Sequence, residues 1–180
     1  MAVPPPRLLL IGAASLAILS NLLPSGLMEY DRDAILGGQL WRLWTGQFCH
    51  WSSIHLIGNL VAATLIVIIG GRAMRDWLSL VPAVAPLLSM FIWFAAPAIT
   101  HYRGMSGLVA FLVTGAAVEG GVAGRLLGFA YVAKLGFDAA VGGGPTLLPD
   151  GIAVAWPAHL GGIVIGAGVA AGRRRRTASR

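Results

Sequence analysis

His101-Tyr102-Arg103-Gly104-Met105-Ser106-Gly107-Leu108-Val109-Ala110-Phe111-Leu112-Val113-Thr114-Gly115 sets a serine between two glycines where a polar loop meets an apolar run. A serine in the first turn of a helix carries an uncrowded hydroxyl. The first backbone N–H groups there have no intrahelical partner, so they can receive a developing oxyanion. Gly104 and Gly107 remove side chains that would block a substrate and a neighbouring helix. Taken alone, Gly104-Met105-Ser106-Gly107 also reads as a plain helix start with Ser106 as its N-cap. The chain around it decides between the two.

Of 180 residues, 57% are hydrophobic and only 11% are charged. That is more apolar side chain than one small soluble core can bury, so the chain reads as a polytopic membrane protein. The single Cys49 allows no internal disulfide. Its neighbour His50 would point elsewhere on a shared helix, so Cys49 reads as packing rather than as a nucleophile.

Six apolar spans follow from the pattern. The first runs from Leu8 to Leu23 and stops at Pro24. It has no small-x-small cleavage site and reads as a retained span rather than a signal peptide. Gly26 to Phe48 is a long polar loop without obvious regular structure, with Trp41-Arg42 at the membrane interface. The second span is Ser52 to Ile69, ending at Gly70-Gly71; the third is Leu78 to Ala98, punctuated by Pro82, Pro86 and Pro97. The fourth, Ser106 to Val118, is short. The fifth covers Leu126 to Val141, then a loop from Gly142 with a Gly-Gly-Gly-Pro turn; the sixth is Pro157 to Gly172. No internal repeat or separate soluble domain is visible, so residues 1–180 form one transmembrane domain with a basic cytoplasmic tail at 173–180.

Arginine sets the orientation. With both termini in the cytoplasm, Arg7, Arg72, Arg75, Arg125, Arg173 to Arg176 and Arg180 lie inside, and Arg32, Arg42 and Arg103 outside. The high pI, near 10.7, therefore reflects the ends of spans and anionic lipid rather than nucleic acid.

The second, fourth and sixth spans then run in the same direction. At about 1.5 Å per residue, Ser106 stands roughly 20 Å above Glu119, His159 roughly 21 Å above Arg173 and Asn59 roughly 20 Å above Arg72. One depth holds all three. His55 shares a face with Asn59 at i, i+4, and His50 precedes them. Ala158, Gly162, Gly166 and Ala170 form a small-residue line beside His159, and Gly107 and Ala110 thin the facing helix, so the fourth and sixth spans can pack closely. Polar groups gathered inside a membrane default to function. Lys134 and Asp138 sit at i, i+4 on the fifth span, with Asp138 at the depth of Ser106. They read either as a self-neutralising ion pair or as part of the site wall.

His50-x-x-x-x-His55-x-x-x-Asn59, Gly104-Met105-Ser106-Gly107 and Ala158-His159-x-x-Gly162-x-x-x-Gly166, with Trp41-Arg42 and Gly70-Gly71, resemble the rhomboid family of intramembrane serine proteases over about residues 41 to 172. Tyr102-Arg103-Gly104-Met105-Ser106-Gly107 and Lys134-x-x-x-Asp138 resemble its rhombosortase branch. The resemblance implies an all-α membrane protein, a six-transmembrane-helix bundle with a short central fourth helix. It implies Ser106 as nucleophile and His159 as general base. His55, Asn59 and the Ser106 N–H would form the oxyanion hole, supported by His50 and Gly104. Ala110 stands where many rhomboids place a tyrosine against the histidine. Lys134 and Asp138 would either neutralise each other or line the wall beside the sixth span, positioning His159 in place of that tyrosine or holding the backbone of an incoming Gly-Gly tail. No metal or cofactor is implied, and no His-Glu-x-x-His occurs. The implied partners are membrane-embedded proteins with a C-terminal apolar tail. The implied location is the bacterial inner membrane, with the site opening to the outer side. The alternatives are a general rhomboid protease of single-span proteins, a non-catalytic rhomboid-like binding protein, and a small transporter using Lys134 and Asp138 as a relay.

Overall fold

Proline and glycine set the helix ends in the computed structural model, which describes residues 4–140, 148, 149 and 152–178. Pro6 opens α1 (Pro6–Leu22) at its first turn, where a missing N–H costs nothing, and Pro24 follows its end. The segment from Ser25 to Thr45 is not the irregular loop expected from sequence. It folds as α2 (Ser25–Met28), a short strand β1 (Tyr30–Asp31), α3 (Arg32–Leu36) and α4 (Arg42–Thr45). Helices of four or five residues carry too little periodicity to be legible.

Ser52 caps α5 (Ser53–Gly70) by accepting the His55 N–H, and Gly71, at φ +59°, ends it in a conformation that favours glycine. A 3-10 turn at Gly71–Ala73 leads into α6 (Met74–Ser79), and α7 (Val81–Ala95) starts with a proline in its first turn. The predicted third span, Leu78 to Ala98, is therefore cut at both ends. Leu78 belongs to α6, and Pro97 disfavours helix in the residue before it. After β2 (His101–Tyr102) come α8 (Ser106–Glu119), α9 (Gly121–Ala140) and α10 (Trp156–Ala178). Gly121, at φ +66°, turns the chain directly from α8 into α9, so α9 starts ahead of the predicted Leu126. The predicted turn at 142–145, Val141 and Arg180 lie outside the described residues.

The described chain is all-helical apart from the pair of two-residue strands. Its long helices are α1, α5, α7, α8, α9 and α10. Among the described residues, one passage, Ser53–Ser79, is long and apolar enough to cross a membrane by length and composition; Pro6–Leu22, Val81–Ala95 and Ser106–Glu119 are shorter apolar helices. Leucine, isoleucine, valine and phenylalanine line the outside of the bundle, with Ile68, Phe94, Phe129 and Leu126 all well exposed. So many exposed large apolar side chains suit lipid rather than water.

Helix α8 is the centre. Gly107 to Val113, Gly115 and Ala116 are buried, on every side of the helix. It packs most extensively on α10, and glycines set that distance. A methyl group built on Gly162 would overlap the Gly107 carbonyl oxygen and lie 2.8 Å from the Ala110 Cβ; one on Gly166 would lie 2.8 Å from the Thr114 Cβ. The backbones approach as closely as the small-residue line predicts. Trp77 and Phe111, with ring centroids 5.0 Å apart, fill the core towards the Glu119 end of α8, where the Trp77 ring lies against Gly115. At that end α10 continues straight through the basic cluster, and Arg173 pairs with Asp76 at 2.8 Å and Glu119 at 3.0 Å. Arg173 thus ties α10 to α6 and α8 instead of beginning a free tail.

Candidate active site

The loop before α8 is strapped down from one side. β1 and β2 pair antiparallel with Tyr30 opposite Tyr102, Arg32 N–H donates to Thr100 O at 2.9 Å, and Gly104 N–H donates to Gly46 O at 3.2 Å. Arg103 reaches the Glu29 carboxylate at 2.8 Å and lies over the Trp51 ring. Buried Arg42 knits the strap itself, donating to Glu29 O at 2.9 Å, Gly26 O at 2.7 Å and Gln39 Oε1 at 2.8 Å. Trp41 Nε1 donates to Leu27 O at 3.1 Å. Trp41-Arg42 thus fastens the strap between Gly26 and Gln39.

Ser106 is the first residue of α8, and Met105 is its N-cap. The N-cap reading of Ser106 therefore fails: its hydroxyl lies 3.5 Å from the Tyr102 hydroxyl, and the capping position belongs to Met105. Tyr102 is fully enclosed and donates to Gly104 O at 2.6 Å; burial pushes its phenol up to about 12, so it stays protonated. Gly104 has φ +147°, which favours glycine, and a side chain there would press within 3.0 Å of the His55 Cε1. Its lack of a side chain lets the loop lie against His55.

Ser106, His159, His55, Asn59, Lys134 and Asp138 line one cavity of about 520 Å³. The shared depth expected from helical rise thus corresponds to a shared chamber. His50 and Gly104 stand behind it, with the His50 ring edge-on to His55 at 5.0 Å. Asn59 spends one amide hydrogen on His55 O at 3.0 Å, and among the described residues the second has no partner. Among the described residues, His55 Nδ1 is buried without a hydrogen-bond partner, which is a costly state.

The Lys134 ammonium contacts the Asp138 carboxylate; Asp138 is buried and Lys134 mostly exposed. Neither hydrogen-bonds His159. The His159 Nδ1 lies 2.8 Å from the Tyr131 hydroxyl, and Trp156 flanks the same ring at 5.9 Å between centroids. Tyr131 was missed from sequence although a signal existed. Tyr131, Lys134 and Asp138 stand at i, i+3 and i+7, one polar face of α9 that begins a turn before the two charges. Among the described residues, no group of three or more His, Cys, Asp or Glu side chains could hold a metal ion.

Comparison with protein families matches residues 37–176 to the Rhomboid domain. No curated protein matches the chain. The matched stretch is well over half of the chain and carries α5, α8 and α10, the helices that meet at the cavity. Rhomboid proteins are membrane proteins and generally intramembrane serine proteases. By this match, the chain belongs to the rhomboid family.

Proposed function

We propose that this protein is an intramembrane serine endopeptidase in which Ser106 and His159 form the catalytic dyad. The observation that carries the reading is the chamber in which Ser106, at the start of a buried helix, shares a wall with His159, His55 and Asn59. The Ser106 oxygen attacks the scissile carbonyl while its proton passes to the free ring nitrogen of His159. The same proton then goes to the leaving amine, and water releases the acyl group from Ser106. The oxyanion is received by the spare Asn59 N–H, by His55 and by the Ser106 N–H, helped by the positive end of α8.

For substrate we propose the C-terminal Gly-Gly-type sorting tails of exported proteins, with an apolar helix and a basic cluster after the cleavage region. The support is the resemblance of Tyr102 to Gly107 and of Lys134 and Asp138 to the rhombosortase branch. The proposed topology is six spans in a bacterial inner membrane, both termini cytoplasmic, with the chamber opening outward. The arginine distribution and the apolar exterior support it. The test is co-expression with two reporters, one ending in a Gly-Gly tail and one carrying a single-span segment without Gly-Gly. Cleavage of the first alone, lost in Ser106→Ala, is the expected result. Cleavage of the second alone would make the protein a general rhomboid protease, and cleavage of neither, a binding protein.

A further inference from the structure

We infer that Tyr131 is the positioning residue for His159, its phenol oxygen accepting the Nδ1–H so that Nε2 alone is left to serve Ser106. The inference rests on the Ser106–His159 reading and deepens it.

A neutral imidazole carries one proton, so one nitrogen donates and the other accepts. With Tyr131 2.8 Å from Nδ1, only Nε2 is available to take the serine proton. If the phenol donated to Nδ1, Nε2 would hold the hydrogen and could accept nothing. The catalytic arrangement is therefore Nδ1–H donating to the Tyr131 oxygen. The bond strengthens as Nε2 is protonated, because an imidazolium is a better donor than an imidazole. No proton leaves Nδ1 and none leaves the phenol.

Packing explains why α9 supplies this partner. Ala110 is completely buried where α8 and α10 press together, and a methyl on Gly162 would already crowd it. No ring fits at 110 without separating the helices that carry Ser106 and His159. Tyr131 approaches from the third side, its ring tilted 34° to that of His159 at 6.3 Å between centroids. Its hydroxyl, rather than a stacked face, meets the histidine.

The experiment uses the full chain in detergent with nitrogen-15-labelled histidine, the His159 signals being assigned with His159→Ala. Nitrogen shifts distinguish a protonated ring nitrogen from a bare one. The expected result for the wild type is a proton on Nδ1, and for Tyr131→Phe a shift towards the Nε2–H form. In parallel, the maximal rate of Ser106 labelling by a fluorophosphonate should fall about 10- to 100-fold in Tyr131→Phe, as for other partners that orient a functional histidine, with half-saturation unchanged. A wild-type His159 protonated on Nε2, or a Tyr131→Phe variant that labels at the wild-type rate with unmoved shifts, overturns the inference. Wild-type labelling in Tyr131→Phe with loss in Tyr131→Leu would reduce Tyr131 to packing. The dyad reading itself fails separately, through undiminished labelling in His159→Ala.

Discussion

The Met105 N–H donates to His50 Nε2 at 3.4 Å, and this bond decides which nitrogen of His50 carries the proton. Since Nε2 accepts, Nδ1 is the N–H and donates to Phe48 O at 3.0 Å. Asn21 of α1 then completes the arrangement. Its amide donates to Ala17 O at 2.7 Å and Phe48 O at 3.1 Å, and its oxygen accepts the His50 N–H at 2.9 Å. A helix outside the matched Rhomboid domain thus holds the residue that holds the loop before Ser106.

Acid should undo this arrangement. Burial, and secondarily the nearby His55, pull His50 from 6.5 down to about 4 in the folded protein. The unfolded chain then binds the proton first as pH falls. The stabilisation is present above pH 6.5, is lost progressively towards pH 4 and is gone below it. Between pH 7 and 4.5 His50 should cost on the order of 2 kcal/mol. Thermal unfolding in detergent should show a larger drop for wild type than for His50→Gln over that range. Equal drops would contradict it.

Glycine at 162 should be irreplaceable where glycine at 168 is not. A Gly162 methyl overlaps the α8 backbone, whereas none of the described residues comes within 4 Å of one on Gly168. Gly162→Ala should destabilise by about 1–3 kcal/mol or more and abolish Ser106 labelling. Gly168→Ala should be neutral or stabilise by about 0.4–1 kcal/mol. Unfolding midpoints of the two variants decide it; similar values would mean that α8 and α10 do not touch through Gly162.

Loss of the spare Asn59 donor should lower turnover by roughly 10- to 1000-fold with the fold intact. The measurement is reporter cleavage by Asn59→Ala at matched protein level. Poor expression with normal turnover of the surviving protein would make Asn59 a packing residue.

The Lys134–Asp138 contact is tested by a double-mutant cycle on turnover. If the pair only neutralises itself, Lys134→Met with Asp138→Leu should recover most of the activity lost in either single variant. Because Asp138 is the buried partner and lines the chamber, the expected outcome is a double variant as poor as Asp138→Leu. Rescue would exclude a role in the site.

Much of the chamber was legible because helical rise is regular. Asn59, Ser106 and His159 each stand a similar number of residues from a charged end, so their common depth could be read from spacing. The glycine line was legible for the same reason, since i, i+4 repeats mark one helix face. The strap from Ser25 to Thr45 was not. Its order comes from Arg42 bonding carbonyls far away in sequence, and no periodicity announces such contacts. Tyr131 gave a weaker signal, an aromatic on the same α9 face as Lys134 and Asp138, and its hydroxyl meets His159 only once α10 is in place.

The most direct test of the dyad is covalent labelling of the purified protein by a serine-directed fluorophosphonate, with the modified residue mapped by peptide mass. The account expects a single adduct on Ser106, absent in Ser106→Ala and strongly reduced in His159→Ala. Undiminished labelling in Ser106→Ala would contradict it.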